Sequence, residues 1–301
     1  MKKITYYIFL SSLLFSFLGC EKEIKIKVPE NTPQLVVEAY INQLYPKLNY
    51  AILSESVGYL SSQQGAKPVK GASIFVTEGI QLPSGEYVWD NNRKVKWVEM
   101  SQNLPFAHNN MALYADSTHF LNSDVAYIGK VNHFYKLEIS YQGKQYQAIT
   151  EIPALVPMDS LTYEKNTDSK GNPFGLVTIH YREPQLLGNT YLDMNDTLSY
   201  DFGDLPGWGV TQDLRAYSDN QINDIYKHEQ RFTRYPVGDT VNYYFNTIDR
   251  KGYNFWDSFL NNNTTPNPFT TTVPLKTNLV GENVTGCFTG LGVSHLRVVI
   301  E

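Results

Sequence analysis

The sequence predicts a mainly β protein: an N-terminal immunoglobulin-like or transthyretin-like β-sandwich, then a second β-rich domain with one short helix. Three observations carry this. Tyr and Phe, 22 and 15 of 301 residues, are abundant, and both favour strands. Gly, Pro and Asn cluster between short apolar runs, where turns belong. The runs are strand-sized and several alternate apolar with polar residues. The expected divisions are a signal peptide over 1–19, a tether over 20–31, a first domain over 32–155 and a second over 156–301.

The chain opens with Lys2 and Lys3, then an apolar run from Ile4 to Leu18 and the pair Gly19-Cys20. That run is shorter than the roughly 20 apolar residues of a membrane span. It has the layout of a secretory signal peptide. A small residue directly before a cysteine is the bacterial lipoprotein cleavage pattern, although Phe17 and Leu18 depart from its commonest form. Cys20 is therefore the expected lipid attachment site. Acyl chains, worth about 0.8 kcal/mol per buried CH₂, would hold the mature N-terminus on a membrane. The tether alternates Lys and Ile and is either a free linker or a short edge strand. Glu21, Lys22 and Glu23 resemble the signal that moves lipoproteins to the cell surface in Bacteroidota.

In the first domain, strands are expected over 34–41, 49–54 and 70–77. A hairpin is expected from 86–89 and 94–98 around Asp90-Asn91-Asn92. Residues 99–123 have no clear period and read as a long loop with short pieces of structure. The clearest pair is 134–139 with 146–149, flanking the turn Tyr141-Gln142-Gly143-Lys144. Pro153 and Pro157 bracket an extended connector at the domain boundary.

In the second domain, strands over 161–163 and 176–181 flank a polar turn at 168–172. An acid-rich stretch, 191–204, leads to Gly207-Trp208-Gly209. Residues 213–234 are polar and ambiguous, and 239–248 is a strand. Tyr253, Trp256, Phe259 and Leu260 share a helical spacing, which predicts a helix over 252–261. A Pro/Thr/Asn-rich loop follows. Pieces of β structure at 279–281, 284–289 and 296–300 finish the chain, with tight turns at Gly286, Gly290 and Gly292.

The formal charge is −5 and no basic stripe is present, which argues against nucleic acid. With Cys20 acylated, Cys287 has no partner and reads as a buried, inert thiol. The six histidines, His108, His119, His133, His180, His228 and His295, show no metal-site spacing, so no metal is expected. Residues 193–204 resemble a calcium loop faintly, but lack its glycine and its final glutamate, and read as a solvated acidic loop. No Gly-x-Ser-x-Gly elbow or other nucleophile motif is present. Neither catalytic residues nor a cofactor are expected, and the chain does not read as an enzyme. Trp208 is the candidate ligand contact; Tyr243 and Tyr244 are weaker candidates, since such rings in β proteins are more often core. Asp159-Ser160-Leu161, Asp196-Thr197-Leu198 and Asp239-Thr240-Val241 match a Bacteroidota O-glycosylation pattern.

The order of several motifs carries a resemblance. Pro33-Gln34-Leu35-Val36-Val37-Glu38-Ala39 follows the lipidated cysteine, then Val69-Lys70-Gly71-Ala72-Ser73-Ile74-Phe75-Val76. Tyr135-Lys136-Leu137-Glu138-Ile139 leads to Thr150-Glu151-Ile152-Pro153. Gly238-Asp239-Thr240-Val241, Asn267-Pro268-Phe269 and Thr277-Asn278-Leu279 complete the series. Together they resemble the Bacteroidota lipoprotein family catalogued as domain of unknown function 4249, over nearly all of the mature chain. The resemblance implies an outer-membrane lipoprotein that acts as a non-catalytic accessory subunit of a TonB-dependent receptor in nutrient capture, and the Glu21-Lys22-Glu23 signal has it facing the cell surface. The alternative is a stand-alone structural or adhesive surface lipoprotein. Gly281-Glu282-Asn283-Val284 departs from the family's usual Gly-Gly pair, and Cys287 stands where relatives usually carry another residue within the Gly-x-Phe run.

Overall fold

The computed structural model describes residues 32–57, 67–100, 112–118, 125–185, 187–197, 214–219, 226–263 and 274–301. Its strands, in chain order, begin with β1 (Leu35–Asn42), β2 (Tyr50–Glu55), β3 (Lys67–Pro68) and β4 (Ser73–Gln81). Next come β5 (Tyr87–Glu99), β6 (Leu113–Asp116), β7 (His133–Tyr141) and β8 (Lys144–Ile152). The second half holds β9 (Met158–Thr167), β10 (Pro173–Arg182), β11 (Thr190–Thr197), β12 (Arg215–Ser218) and β13 (Tyr226–Pro236). It ends with β14 (Thr240–Ile248), helix α1 (Arg250–Asn263), β15 (Leu279–Val280) and β16 (Val284–Val299). The protein is mainly β, as its composition predicts.

Two sheets organise these strands. A thirteen-stranded sheet runs β12-β11-β14-β16-β1-β2-β6-β5-β4-β7-β8-β15, with β3 beside β2; β13-β10-β9 form a three-stranded sheet. The strand β16 joins the two halves of the chain. Its first half pairs in parallel with β1, from Leu35↔Val284 to Asn42↔Leu291. Its second half pairs antiparallel with β14, from Ile248↔Leu291 to Thr240↔Val299. Thr32–Glu301 accordingly forms one compact unit. The division expected at 155/156 does not separate two such units; it falls between β8 and β9, where the chain leaves the large sheet for the small one.

Alternation along the strands sorts the cores. Val37, Ala39 and Ile41 of β1 meet Leu53, Ile74, Val76, Trp97, Leu137 and Phe288 in one buried cluster. The sheet curls, so its far end returns to β16. There the Asn278 side chain donates to Phe288 O at 2.7 Å and accepts from Phe288 N at 3.0 Å. Gly290 N donates to Thr150 Oγ1 at 2.8 Å. In β14, Val241, Tyr243 and Phe245 face the small sheet and pack with Val177, Ile179 and Tyr181. Tyr244 and Ile248 take the opposite face, under α1, with Leu192, Phe255, Trp256 and Leu291.

Several local expectations change. Asp90-Asn91-Asn92 do not turn the chain. They lie within β5, in an irregularity between the Thr77↔Lys94 and Gly79↔Trp89 pairs. Pairing with β4 continues on both sides, and the reversal sits nearer Gly85, whose N donates to Leu82 O at 2.8 Å. Gly286, Gly290 and Gly292 do not make tight turns either. All three lie inside β16, where a β-carbon would stand 1.9 Å from Val37 O, 2.0 Å from Glu151 O and 2.6 Å from Pro153 O. They are small because neighbouring backbone crosses against them. The Gln142-Gly143 turn forms as expected, with φ of 48° and 76°.

The acidic stretch also changes character. Asp193 is a buried residue of β11, not part of a solvated loop. Arg231 of β13, 2% exposed, donates from Nη2 to Asp193 Oδ2 and from Nε to Tyr243 Oη at 2.5 Å. Tyr243 Oη in turn donates to Asp193 Oδ2 at 2.8 Å, and Arg231 Nη1 donates to Glu229 Oε2 at 3.0 Å. Burial pushes the Asp193 carboxyl up to about 6, against the pull of Arg231.

Candidate functional site

The helix α1 is capped by Asp249, whose Oδ1 accepts from Gly252 N at 2.6 Å. Asp249 Oδ2 accepts from Thr150 Oγ1 at 2.8 Å and from Glu151 N at 3.0 Å, which ties the helix to β8. The helical spacing then turns Phe255, Trp256 and Phe259 toward the large sheet. Between this helix and the outward faces of β1, β2, β11, β14 and β16 lies a cavity of about 250 Å³.

Its walls are mostly apolar. Val36 and Tyr40 come from β1, Tyr50 from β2, Met194 from β11 and Tyr244 from β14. Leu48, Leu214 and Leu291 fill between the rings. Tyr40 stacks on Trp256 with centroids 6.0 Å apart and planes 11° apart, and meets Tyr50 edge-on at 5.4 Å. Trp256 Nε1 is anchored on Thr289 Oγ1 at 3.0 Å. The rings are thus held in place by their own partners.

Polar groups interrupt this lining. Glu38 faces outward from β1 between Val36 and Tyr40 and lines the cavity. Its Oε1 accepts from Tyr40 Oη at 2.9 Å. Burial raises its pKa above the ordinary carboxylate value, and the Tyr40 hydroxyl opposes that rise. Burial, and then the Glu38 charge, hold the Tyr50 hydroxyl well above its usual range. Asn246 is 0% exposed. Its Nδ2 donates to Leu192 O at 2.7 Å and to Tyr244 O at 3.2 Å. Both amide protons are spent, which fixes the orientation of the group. Its Oδ1 is buried without a partner. Such an atom costs about 1–3 kcal/mol unless something donates to it.

A second hollow, of about 260 Å³, is lined by Glu183, Asp219, Glu229 and three tyrosines. Glu183 and Glu229 are held by tyrosine hydroxyls. Tyr191 Oη donates to Glu183 Oε1, and Tyr181 Oη donates to Glu229 Oε1 at 2.9 Å. Together with the Arg231 contact, these bonds make the hollow an extension of the buried ionic network.

The residues singled out from sequence fall as follows. Cys20, Glu21, Lys22, Glu23 and Trp208 lie outside the described residues, as do His108 and His119. Tyr244 lines the cavity, whereas Tyr243 belongs to the opposite core. Cys287 is buried at 1% exposure, directly opposite Glu38 in the β1–β16 ladder, and burial pushes its thiol up. His180 and His228, far apart in sequence, stand opposite each other across β10 and β13, with Nδ1 atoms 2.5 Å apart. Among the described residues no group of three or more metal-ligating side chains occurs. Glu38 and Asn246 were not foreseen as site residues. The signal for Glu38 was a lone acid in the otherwise apolar run Leu35-Val36-Val37-Glu38-Ala39-Tyr40-Ile41.

Fold and site define a β protein with a helix-covered, aromatic-walled cavity. The family model described as "Domain of unknown function (DUF4249)" matches residues 21–297, and the chain belongs to that family. No curated protein matches the sequence.

Proposed function

We propose that this chain is a lipid-anchored binding protein of the outer membrane, exposed at the cell surface. It holds a small ligand in the cavity under α1 and serves as a non-catalytic accessory subunit of a TonB-dependent receptor. The observation that carries the binding role is the cavity itself. An aromatic wall surrounds a half-buried carboxyl and an unpartnered amide oxygen, the usual make-up of a small-molecule site. The anchor rests on the Gly19-Cys20 pair behind the apolar run, and surface exposure on Glu21, Lys22 and Glu23. An acyl anchor confines the protein to the membrane plane and raises its effective concentration beside a barrel.

The test is affinity purification of the tagged full-length chain from gently solubilised outer membranes, with mass spectrometry of what accompanies it. A TonB-dependent barrel retained at near-equal amount, and lost in a Cys20→Ala variant, supports the accessory role. Recovery of the protein alone removes the receptor and favours a stand-alone surface lipoprotein.

A further inference from the structure

We infer that the cavity under α1 takes an organic amine: an ammonium head on the Glu38 carboxylate and an apolar body along the rings beneath the helix. The inference rests on the cavity being a binding site and specifies its ligand class. The argument is one of complementarity. The Glu38 carboxylate is an acceptor when ionised, and the one bond shown for it, from Tyr40, leaves acceptor capacity unused. Asn246 contributes a second acceptor, because both of its donors are committed to backbone carbonyls. A ligand that satisfies both acceptors must bring donors.

The surroundings favour a donor that is positively charged. Among the described residues lining the cavity there is no lysine or arginine beside Glu38; its neighbours across the ladders are Ile52 and Cys287. The groups beside it are the Tyr40 and Tyr50 hydroxyls and the Cys287 thiol, which burial keeps protonated. A half-buried carboxylate with no counter-ion beside it is only partly solvated, and an arriving cation relieves that cost. Tyr40, Tyr50 and Trp256 add ring faces, which attract ammonium groups. An anionic ligand would meet the like charge of Glu38. A purely apolar one would bury Glu38 and Asn246 further without a partner.

The body of the ligand follows from the shape. Glu38 lies opposite Cys287 and Asn246 opposite Val293, so the two acceptors are spaced along β16 rather than side by side. A slender molecule lying along the strand, beneath Phe255 and Phe259, fits that arrangement. A second donor partway along its body would reach Asn246.

Calorimetric titration of the full chain in detergent micelles, with micelles alone subtracted, compares three probes of one size. These are phenethylammonium, 2-phenylethanol and 3-phenylpropionate. The expected order places phenethylammonium at least tenfold tighter than the alcohol, with the carboxylate weakest. Glu38→Gln is expected to abolish the ammonium preference and to keep alcohol binding. Leu214→Trp, which narrows the cavity and leaves Glu38 in place, is expected to weaken all three. If Glu38→Gln does not fold, the ranking in the native chain decides. Equal binding of the three probes would overturn the amine inference and leave the cavity as a binding site. Failure of all three to bind would overturn both.

Discussion

Val37 in β1 and Gly286 in β16 face each other in parallel register, and a β-carbon on Gly286 would stand 1.9 Å from the Val37 carbonyl oxygen. Gly286 also has φ of 111°, in the left-handed region. Gly286→Ala is therefore expected to cost roughly 3 kcal/mol or more, from strained backbone and a displaced ladder. Gly85 is the control. Its φ is 87°, but nothing lies within 4 Å of its would-be β-carbon. Gly85→Ala should cost only about 1 kcal/mol. Denaturant midpoints of the two variants measure the difference, and equal losses would show that the close approach is not the cause.

The buried Arg231–Asp193 pair predicts a pronounced asymmetry between single and double substitution. Removing Arg231 alone strands Asp193 and Tyr243 in the core, and Arg231→Leu should cost about 3–5 kcal/mol. Arg231→Leu combined with Asp193→Leu should recover much of that loss. A double-mutant cycle by chemical denaturation reads the coupling. Additive losses would mean that the two groups do not depend on each other.

Asp249 joins the first turn of α1 to β8 through three bonds. Asp249→Ala should destabilise the protein by about 1–2 kcal/mol. It should also speed amide exchange at Gly252 and Tyr253 before the rest of the helix. Unchanged protection there would assign the start of the helix to packing alone.

His180 stands against His228 across β10 and β13, with Nδ1 atoms 2.5 Å apart. The His180 pKa is lowered, first by desolvation and then by the His228 charge. A base whose folded pKa is depressed resists protonation in the native state. Stability contributed by neutral His180 is present above the unfolded value near 6.5 and is lost as pH falls through it. In an NMR titration His180 should titrate below the ordinary imidazole value, and His228→Asn should move it upward. No movement would leave desolvation as the whole cause.

The sequence revealed what is local. The spacing of Tyr253, Trp256 and Phe259 marks α1, and Gln142-Gly143 marks the β7–β8 turn, because both signals lie within one element. Long-range pairing was hidden. The glycines of β16 read as turn residues because a strand shows no sign of the backbone that will cross it. Asp193 read as a solvated acid because its partner, Arg231, arrives from another strand. His180 and His228 carry no recognisable spacing for the same reason. The cavity draws on five strands, the helix and residues between them, so no single stretch announces it. Trp208 stood out only because two glycines flank it.

The pairing of β1 with β16 has a consequence for how the chain folds. The strand β1 gains one of its two neighbours only when β16, far along the chain, docks against it. Pairing over such a separation slows folding, since the loop must close before its contacts are gained. Until then the edge of β1 stays open, with its hydrogen-bonding groups unpaired and Val37, Ala39 and Ile41 incompletely covered. In refolding from denaturant, the chain should therefore stay protease-sensitive until β16 pairs with β1, and then become resistant in a single late step.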